Sequence, residues 1–336
     1  MPEIEFLYLT QADVRATGVQ MPVVMDAVED SFRLHHQGKT ILPYKTVLDM
    51  GERERGRSNA MPSYVGGEYD AFGIKWLAGF PHNPRLHGLP RATGFYILND
   101  SQKGIPLAIM DCTWLSAMRT GAVTGVGAKY LARPNSRSVA IIGAGVQART
   151  QLEALKVALP GLKEVRSFDI RPEAAEAFAS EMSARLSIDA RAVASAEAAV
   201  RDADIVVTVT VANDPIVKDA WMKPGSLFAA VGSYQEEEFA VVENSDRIVV
   251  DGIEHVLHRG TPVIALMLAQ GTIKEEDITE LGAIVCGDAP GRERPEERIF
   301  FSPIGMGTND LCVCSRVHQL AVEKRIGTKL ELFGID

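Results

Sequence analysis

The stretch that decides the fold is Ser138-Val-Ala-Ile-Ile-Gly-Ala-Gly-Val-Gln-Ala148, a short apolar run that enters a glycine-rich turn and then a helical pattern. Its small residues match Gly-x-Gly-x-x-Ala, in which a first glycine makes a tight turn, a second lets a pyrophosphate approach the backbone, and the alanine lets helix and strand pack closely. The start of the helix offers unpaired N–H groups to an anion. We therefore predict a dinucleotide site here. Its predicted cofactor-binding residues in this stretch are Gly143, Gly145, Val146, Gln147 and Ala148.

An acidic residue at the end of the next predicted strand, Asp169, indicates which dinucleotide is bound. A carboxylate at this position accepts a hydrogen bond from the ribose 2′-OH and repels a 2′-phosphate, which favours NAD over NADP. Arg171 follows closely and would offset part of that preference by pairing with the phosphate, so NADP remains an alternative. Further cofactor contacts are predicted where later strands end, at Thr208, Val231 and Gly232.

The chain from the fingerprint onward alternates helical patterns with short, continuous apolar runs. Strands that are buried on both faces and alternate with helices are typical of a parallel α/β sheet. We therefore predict a Rossmann parallel-sheet nucleotide domain over residues 119–304. The predicted strands after the fingerprint strand are Glu164–Asp169, Arg191–Ala194, Asp204–Val211, Ser226–Gly232, Arg247–Asp251 and Ala283–Cys286.

Residues 1–118 follow a different pattern, with an amphipathic helix at Met21–His36 and then β-like segments broken by glycine and proline. This pattern predicts an α+β domain with a mostly antiparallel or mixed sheet. The helical stretch Asp310–Lys324 is expected to return to this domain, which residues from about 305 to 336 would complete. The charge-dense segment Gly51–Arg57 is interpreted as a solvated loop. The predicted β-like segments are Thr46–Met50, Ala60–Val65, Ala71–Ala78, Gly94–Asp100 and Pro106–Asp111.

Length and composition limit the classes of function. The chain has 336 residues, which at roughly 150 residues per domain suggests two domains. A net charge of −9 argues against a nucleic-acid-binding protein. The longest apolar run, Val263–Ala269, is far shorter than a membrane span, and no secretory signal is visible at the amino terminus. Four cysteines without a Cys-x-x-Cys pair indicate reduced thiols and a cytoplasmic protein.

A second series of motifs precedes the fingerprint. Together with the nucleotide domain that follows it, the series resembles the ornithine cyclodeaminase/mu-crystallin family over nearly the whole chain, from the Lys75 region to Gly305–Asp310. The motifs are Gly73-Ile-Lys75-Trp-Leu-Ala-Gly-Phe-Pro81-His-Asn83-Pro84, Gly88-Leu-Pro90, Thr93-Gly94, Asn99-Asp100, Gly104-Ile-Pro106, Asp111 and Met118-Arg119-Thr120-Gly121-Ala122.

The resemblance implies a homodimer with a substrate-binding and dimerisation domain beside a Rossmann domain, and an NAD(P)-dependent reaction at an α-imino or α-amino acid. It places Lys45, Lys75 and Arg119 where the family holds the substrate carboxylate. It places Thr93 and Arg119 at nucleotide-contacting positions, and Ile304 in the segment that closes over the substrate. Arg57 lies in a stretch where some members carry another carboxylate-binding base.

Physical chemistry independently supports a basic cluster for such a substrate. Two or three cations suit a carboxylate, and an arginine offers it a bidentate fork. A desolvated lysine among other cations has a lowered pKa, so Lys75 is predicted to move the proton at the imine nitrogen. The alternative is that Lys45 and Lys75 are ordinary lysines at strand edges. Asp310 also has two interpretations, as a helix cap or as a group that orients a substrate ammonium.

One departure from the family pattern bears on the reaction. Ornithine cyclodeaminases carry an acidic catalytic residue just beyond Val-Gly-Gly, whereas this chain has Val231-Gly232-Ser233-Tyr234 and reaches its glutamates only at 236–238. Whether Tyr234 or one of these glutamates replaces the missing acid is open. We therefore predict NAD(P)H-dependent reduction of a small α-imino acid, by an imine reductase or an amino-acid dehydrogenase. The alternatives are an ornithine-type cyclodeaminase with catalytic NAD and a mu-crystallin-like NADP-dependent ligand-binding protein.

Overall fold

The structure, a computed structural model, describes residues 3–51, 56–232 and 234–333. The chain divides into two compact units. The first unit comprises the chain up to Arg119 together with the part from Met306 onward, and the second comprises Thr120–Gly305. Within the described residues, no helix is both long and apolar enough to cross a membrane.

In the described part of the first unit, eight strands form one mixed sheet in the order β16-β1-β7-β6-β5-β4-β2, with β3 also paired to β4. Neighbouring strands are antiparallel except β1 and β7, which are parallel. The mixed sheet predicted from the sequence is therefore confirmed. The strands are β1 Ile4–Leu9, β2 Thr40–Ile41, β3 Thr46–Asp49, β4 Arg57–Val65, β5 Ala71–Gly79, β6 Ala92–Asp100, β7 Pro106–Asp111 and β16 Thr328–Phe333.

Two helices of the first unit, α2 and α12, pack on one face of this sheet. Helix α12 packs against α2 and against β4, β5 and β6. Because side chains alternate along a strand, Ala71, Gly73 and Lys75 of β5 are buried while Phe72 and Trp76 are exposed on the opposite face. The helices are α1 Gln11–Ala16, α2 Met21–His36, α3 Asn83–Leu86 and α12 Gly307–Lys324, and the unit boundary falls within α4 Thr113–Leu131.

In the described part of the second unit, eight strands form an entirely parallel sheet in the order β10-β9-β8-β11-β12-β15-β13-β14. Its central strands are continuous apolar runs with both faces buried. The predicted α/β class with a Rossmann-type sheet is confirmed. The strands are β8 Ser138–Ile142, β9 Glu164–Phe168, β10 Asp189–Ala192, β11 Ile205–Thr208, β12 Leu227–Ala230, β13 Arg247–Val250, β14 Ile278–Glu280 and β15 Ile299–Ser302.

Helices connect these strands, and their apolar residues contribute to the core. Phe228 of β12 and Phe300 of β15 stack within this core, with ring centroids 5.4 Å apart. The helices are α5 Val146–Ala158, α6 Pro172–Leu186, α7 Ala196–Val200, α8 Phe239–Glu243, α9 Ile253–Arg259, α10 Val263–Gln270 and α11 Leu281–Cys286, with short 3₁₀ turns at Asp219–Trp221 and Glu275–Asp277.

Two local predictions were wrong. The apolar run Ala283–Cys286 belongs to α11 and not to a strand. A short apolar run does not distinguish the two, and the left-handed Gly287, with φ +81°, ends the segment as a helix. Arg57, which we interpreted as part of a solvated loop, begins strand β4 and is half-buried, while residues 52–55 of that segment lie outside the described residues.

Candidate active site

The glycine-rich turn of the second unit begins at Gly143, directly after β8. Its φ is +100°, a backbone conformation that favours glycine. A Cβ atom at this position would lie 3.0 Å from the carbonyl oxygen of Val209. The Gly143 N–H donates to the carbonyl of Phe168 at 2.7 Å, which ties the turn to the end of β9. The position therefore requires glycine both for conformation and for space.

The start of α5 has the features of an anion cradle. Gly145 immediately precedes the helix, no side chain caps this end, and a Cβ at Gly145 would meet only open space. Val146 is 70% exposed, whereas Ala148 is fully buried against the sheet. The side-chain oxygen of Gln147 is buried without a hydrogen-bond partner in the part of the chain that the structure describes. The residues present therefore fit the pyrophosphate of a dinucleotide.

Asp169 lies at the end of β9 beside this turn. Its carboxylate accepts hydrogen bonds from the Ala144 N–H at 2.8 Å and from the Arg171 N–H at 2.9 Å. Ile170 is 86% exposed next to it. The Arg171 side chain is largely exposed, and its Nε lies 3.7 Å from Asp169. The carboxylate is thus held by backbone groups at the position where the sequence predicts the ribose contact.

The remaining predicted residues of this unit lie at the carboxyl ends of its strands. Thr208 ends β11, and its carbonyl accepts the Val231 N–H at 3.0 Å. Gly232 follows in the turn after β12. Ile304 follows β15, where its N–H donates to the buried carboxylate of Asp251 at 3.0 Å. In open α/β sheets, this is the edge at which ligands bind.

Three charged side chains from distant parts of the chain meet inside the first unit. The ammonium of Lys75 donates to Oδ2 of Asp310 at 2.9 Å, and Nε of Arg119 donates to Oδ1 of the same carboxylate at 2.9 Å. All three residues are buried, with exposed fractions of 1% for Lys75, 3% for Asp310 and 7% for Arg119. We call this set the buried ion cluster. Two cations around one carboxylate leave a surplus positive charge that one substrate carboxylate would neutralise.

The local structure explains how these side chains meet. Lys75 lies on the inner face of β5, between its register partners Met61 on β4 and Tyr96 on β6. Helix α12 packs over the same strands and carries Asp310 in its first turns. Arg119 is carried by α4. The burial of Lys75 overturns the alternative that it is an ordinary strand-edge lysine.

Burial and neighbouring charges shift the pKa values within the buried ion cluster. Burial lowers the pKa of Lys75, the Arg119 cation lowers it further, and the pairing with Asp310 opposes both. Burial acts to raise the pKa of Asp310, but the Arg119 and Lys75 cations outweigh it and hold the pKa below its ordinary value. Asp310 therefore stays ionised at neutral pH, while Lys75 releases its proton more readily than a solvated lysine.

Sequence reasoning left Asp310 as either a helix cap or a group that orients a substrate ammonium, and did not select it as a site residue. Its interpretation as a helix cap is wrong, because α12 begins after Met306 without a side-chain cap and both Asp310 oxygens bind cations. One signal was available in the sequence. Asp310 is the lone charged residue in Gly307–Ser315. The structure adds that this segment is buried throughout. An isolated acid in such a segment needs a buried cation as a partner.

The other predicted residues of this unit lie outside the buried ion cluster. Lys45 is half-buried and immediately precedes β3, and extending the register by one residue places it opposite Met61, in the same cross-strand row as Lys75. Arg57 pairs with Gly79 at the far end of β5. Thr93 is exposed, and alternation along β6 places it on the opposite face from Tyr96. Their substrate and cofactor roles stay predictions.

The parallel sheet and its fingerprint define this protein as a Rossmann-type dinucleotide-binding protein. More particularly, residues 5–325 match the ornithine cyclodeaminase/mu-crystallin family, and the chain belongs to that family. The resemblance inferred from the motifs is therefore confirmed. Alanine dehydrogenase from Archaeoglobus fulgidus is 37% identical over 337 residues, which covers 99% of this chain and 100% of that enzyme.

Two solved structures are similar along almost the entire chain. Thermococcus litoralis Delta(1)-pyrroline-2-carboxylate reductase in complex with NADH and L-proline has a TM-score of 0.90 at 35% identity, covering 96% of this chain and 99% of that one. An archaeal alanine dehydrogenase dimer with bound NAD has a TM-score of 0.90 at 36% identity, covering 98% of this chain and 100% of that one.

Proposed function

We propose that this protein is an NAD(H)-dependent oxidoreductase that reduces a small α-imino acid to the corresponding amino acid. The observation that carries this proposal is the buried ion cluster, whose surplus positive charge suits one substrate carboxylate. The similarity to an alanine dehydrogenase and a pyrroline-2-carboxylate reductase supports the same class of reaction.

In this proposal, the substrate carboxylate is held by Arg119 and Lys45, with Arg57 as a further cation. A guanidinium can bind a carboxylate through two parallel hydrogen bonds, which fixes the orientation as well as the position of the substrate. Asp310 restrains Arg119 through Nε, so that the guanidinium plane is set before the substrate arrives. Ile304, beyond β15, would close over the substrate.

Lys75 would move the proton. When bound, NADH supplies a hydride to the substrate Cα, and the imine nitrogen needs one proton to become the amine. Because burial and Arg119 lower the pKa of Lys75, its ammonium is a stronger acid than that of a solvated lysine. Asp310 orients this ammonium and stays ionised throughout, since the surrounding cations hold its pKa low.

The cofactor in this proposal is NAD. Gly143, Gly145, Val146, Gln147 and Ala148 would hold the pyrophosphate, and Asp169 would accept a hydrogen bond from the ribose 2′-OH. Two backbone N–H groups hold the Asp169 carboxylate in place. Its negative charge would repel the 2′-phosphate of NADP, which favours NAD. Thr208, Val231 and Gly232 would line the other end of the cofactor site, and the family resemblance adds Thr93 and Arg119 as further nucleotide contacts.

We further propose that the first unit also forms a homodimer, through the sheet face that the helices leave uncovered. Phe72, Trp76 and Phe95 are exposed on neighbouring strands of that face, and Trp76 and Phe95 are register partners. An apolar patch of this kind marks an interaction surface. A dimer of the similar alanine dehydrogenase supports a second copy as the occupant.

We also infer a cytoplasmic location, because all four cysteines are free thiols.

The test is the loss of NADH absorbance with the purified protein and a panel of 2-oxo acids, each supplied with ammonia or methylamine, together with cyclic imines. Oxidation that requires both the oxo acid and the amine, or a cyclic imine alone, is the expected result. A lack of NADH oxidation across the panel, under conditions in which NADH binds, would contradict the proposal. Ammonia release from ornithine without net NADH change would establish the cyclodeaminase alternative, and binding without turnover would establish the ligand-binding alternative.

A further inference from the structure

A buried carboxyl group that the proposed reaction does not use connects two loops at the carboxyl edge of the parallel sheet. Glu236 is 1% exposed, and its Oε1 accepts a hydrogen bond from the Thr210 N–H at 2.6 Å and another from the Thr210 hydroxyl. Thr210 follows β11, and Glu236 follows the turn after β12. Because β11 and β12 are adjacent parallel strands, one side chain links the loops that leave both of them.

The second oxygen of this carboxyl group lies against the turn after β12. A Cβ atom at Gly232 would lie 1.7 Å from Oε2 of Glu236 and 2.2 Å from its carboxyl carbon. No real Cβ atom approaches another heavy atom this closely without a bond. Gly232 is therefore required by the presence of Glu236, and the spacing between the turn and the carboxyl group is set by direct contact.

Thr210 in turn lies against the fingerprint. A Cβ atom at Gly143 would be 3.1 Å from Cγ2 of Thr210, so the threonine borders the glycine-rich turn. This turn follows β8, which has β9 on one side and β11 on the other. The chain continues from β8 to β9 on one side and later returns to β11 on the other side. The loop after β8 and the loop after β11 therefore lead away from each other, which makes this position a topological switch point. A series of contacts thus leads from Gly232 through Glu236 and Thr210 to Gly143.

Glu236 is enclosed and has no ionic partner among the described residues. Burial raises the pKa of Glu236, against the hydrogen bonds from Thr210. The adjacent Glu237 is fully buried, and burial followed by the nearness of Glu236 raises the pKa of its carboxyl group well above the ordinary value. Glu236 is 1% exposed, and the groups at its carboxyl end are Thr210 and Gly232, which belong to the two loops of this edge.

We propose that Glu236 is a positioning residue for the dinucleotide site, and that it sets the spacing between the Thr210 loop and the Gly232 turn and holds Thr210 against Gly143. This inference rests on the proposed function, because it requires a dinucleotide at this edge. It also answers the question raised by the missing family acid. A carboxyl group does lie beside Gly232, but it comes from position 236 and supports the backbone of the site. Tyr234, which stands just beyond the stretch that matches Val-Gly-Gly, is 39% exposed.

The experiment measures the NADH dissociation constant by fluorescence titration of the full-length protein, together with the melting temperature without cofactor. Glu236→Ala is expected to weaken NADH binding by about tenfold, because the Thr210 loop loses both hydrogen bonds. Glu236→Gln is expected to stay within about threefold of the wild type, because its amide oxygen accepts the same two bonds. Thr210→Val is expected to weaken NADH binding as well. The double variant Glu236→Ala/Thr210→Val is expected to bind NADH no more weakly than Glu236→Ala alone, because both substitutions disrupt the same contact between Thr210 and Glu236.

Glu237→Gln is the matched control, because Glu237 is equally buried but has no hydrogen bond to Thr210 in the described structure. We expect it to change the melting temperature and to leave NADH affinity within about twofold of the wild type. Wild-type affinity in Glu236→Ala, or an equal loss in Glu237→Gln, would overturn the inference while leaving the proposed function intact. If Glu236→Ala does not fold, wild-type affinity in Thr210→Val would overturn it. A wild-type protein that binds neither NADH nor NADPH would overturn both proposals.

Discussion

The two units of this protein build their candidate sites in opposite ways. In the second unit, residues 143–148 form the site from the backbone of one continuous stretch, and their glycines supply conformation and space. In the first unit, the site consists of side chains, and Asp310 pairs with Lys75 from 235 positions away and with Arg119 from 191 positions away. A site made of backbone is therefore visible as a local motif, whereas a site made of buried charges exists only after the chain has folded.

The two constructions also respond differently to substitution. Removing one partner of a buried ion pair leaves an uncompensated charge, which typically destabilises a protein by about 3–5 kcal/mol. A small side chain added to a glycine turn instead changes the space available to a ligand or the strain in one residue. Substitutions in the buried ion cluster should therefore affect chemistry and stability together, and substitutions in the fingerprint should separate binding from stability.

The largest expected effect is that of Lys75→Met, which keeps the length of the side chain and removes the proton donor. We expect kcat to fall by about 10³-fold, within the range that general acid catalysis supplies. The NADH dissociation constant should stay within about twofold, because Lys75 is not among the predicted cofactor contacts. Steady-state kinetics and fluorescence titration measure the two quantities. A kcat within tenfold of the wild type would show that another group donates the proton.

Asp310→Asn tests the counter-charge of the same cluster. Asp310 raises the pKa of Lys75, so its neutralisation should lower that pKa further, and we expect activity to fall by about 10²-fold at neutral pH. Because reduction uses the protonated lysine, the loss of activity with rising pH should begin at lower pH in the variant. The pH profile of kcat/KM measures this shift, and a profile that keeps its wild-type midpoint would contradict the role of Asp310.

The stability of the wild type should depend on Asp310 in acid. Its folded-state pKa lies below the ordinary 3.8, so its contribution is complete above that pH and is lost as the pH falls through the lower, folded-state value. Asp310→Asn should lack this loss in acid and be less stable at neutral pH. Denaturant unfolding of both proteins across the acid range measures the difference.

An intermediate effect is expected at Asp169, the side-chain carboxylate predicted to bind the ribose. Asp169→Ser should raise the preference for NADPH relative to NADH by about 10- to 100-fold, because the charge that repels a 2′-phosphate is removed. The exposed Arg171 would then pair with the phosphate. The ratio of kcat/KM for the two cofactors measures the change, and adding Arg171→Ala should reverse part of it. An unchanged ratio would place the ribose contact elsewhere.

The smallest effects come from two neighbouring glycines, and they sharpen the contrast most. Gly145→Ala should leave the cofactor-free protein as stable as the wild type, because the added Cβ meets open space and the φ of −78° suits alanine. The same Cβ should weaken NADH binding by about tenfold, because it occupies the space that the pyrophosphate needs. Gly143→Ala should destabilise the cofactor-free protein by about 1–3 kcal/mol, since its φ is +100° and the Val209 carbonyl is close. Thermal unfolding with and without NADH compares them. Equal destabilisation by both substitutions would contradict the cradle at Gly145.

Sequence patterns were most informative where the structure is periodic or local. The β-like segment Pro106–Asp111 and the amphipathic helix Met21–His36 were predicted with the bounds that the structure shows for β7 and α2. Prediction failed at Ala283–Cys286, where four residues are too few to distinguish a helix from a strand. Strand β1 was not predicted from its own sequence, and it is held by pairing with β7 on one side and with β16, near the other end of the chain, on the other.

The sequence by itself determined the α/β class, the family, the fingerprint and the acid at position 169, because each depends on residues close together in the chain. Only the tertiary structure decided that Asp310 serves Lys75 and Arg119, and that Glu236 folds back onto Gly232 and Thr210. The physical reason is that the charge state and the role of a buried side chain depend on which groups replace water around it. Those groups are brought there by helices and strands from the rest of the fold.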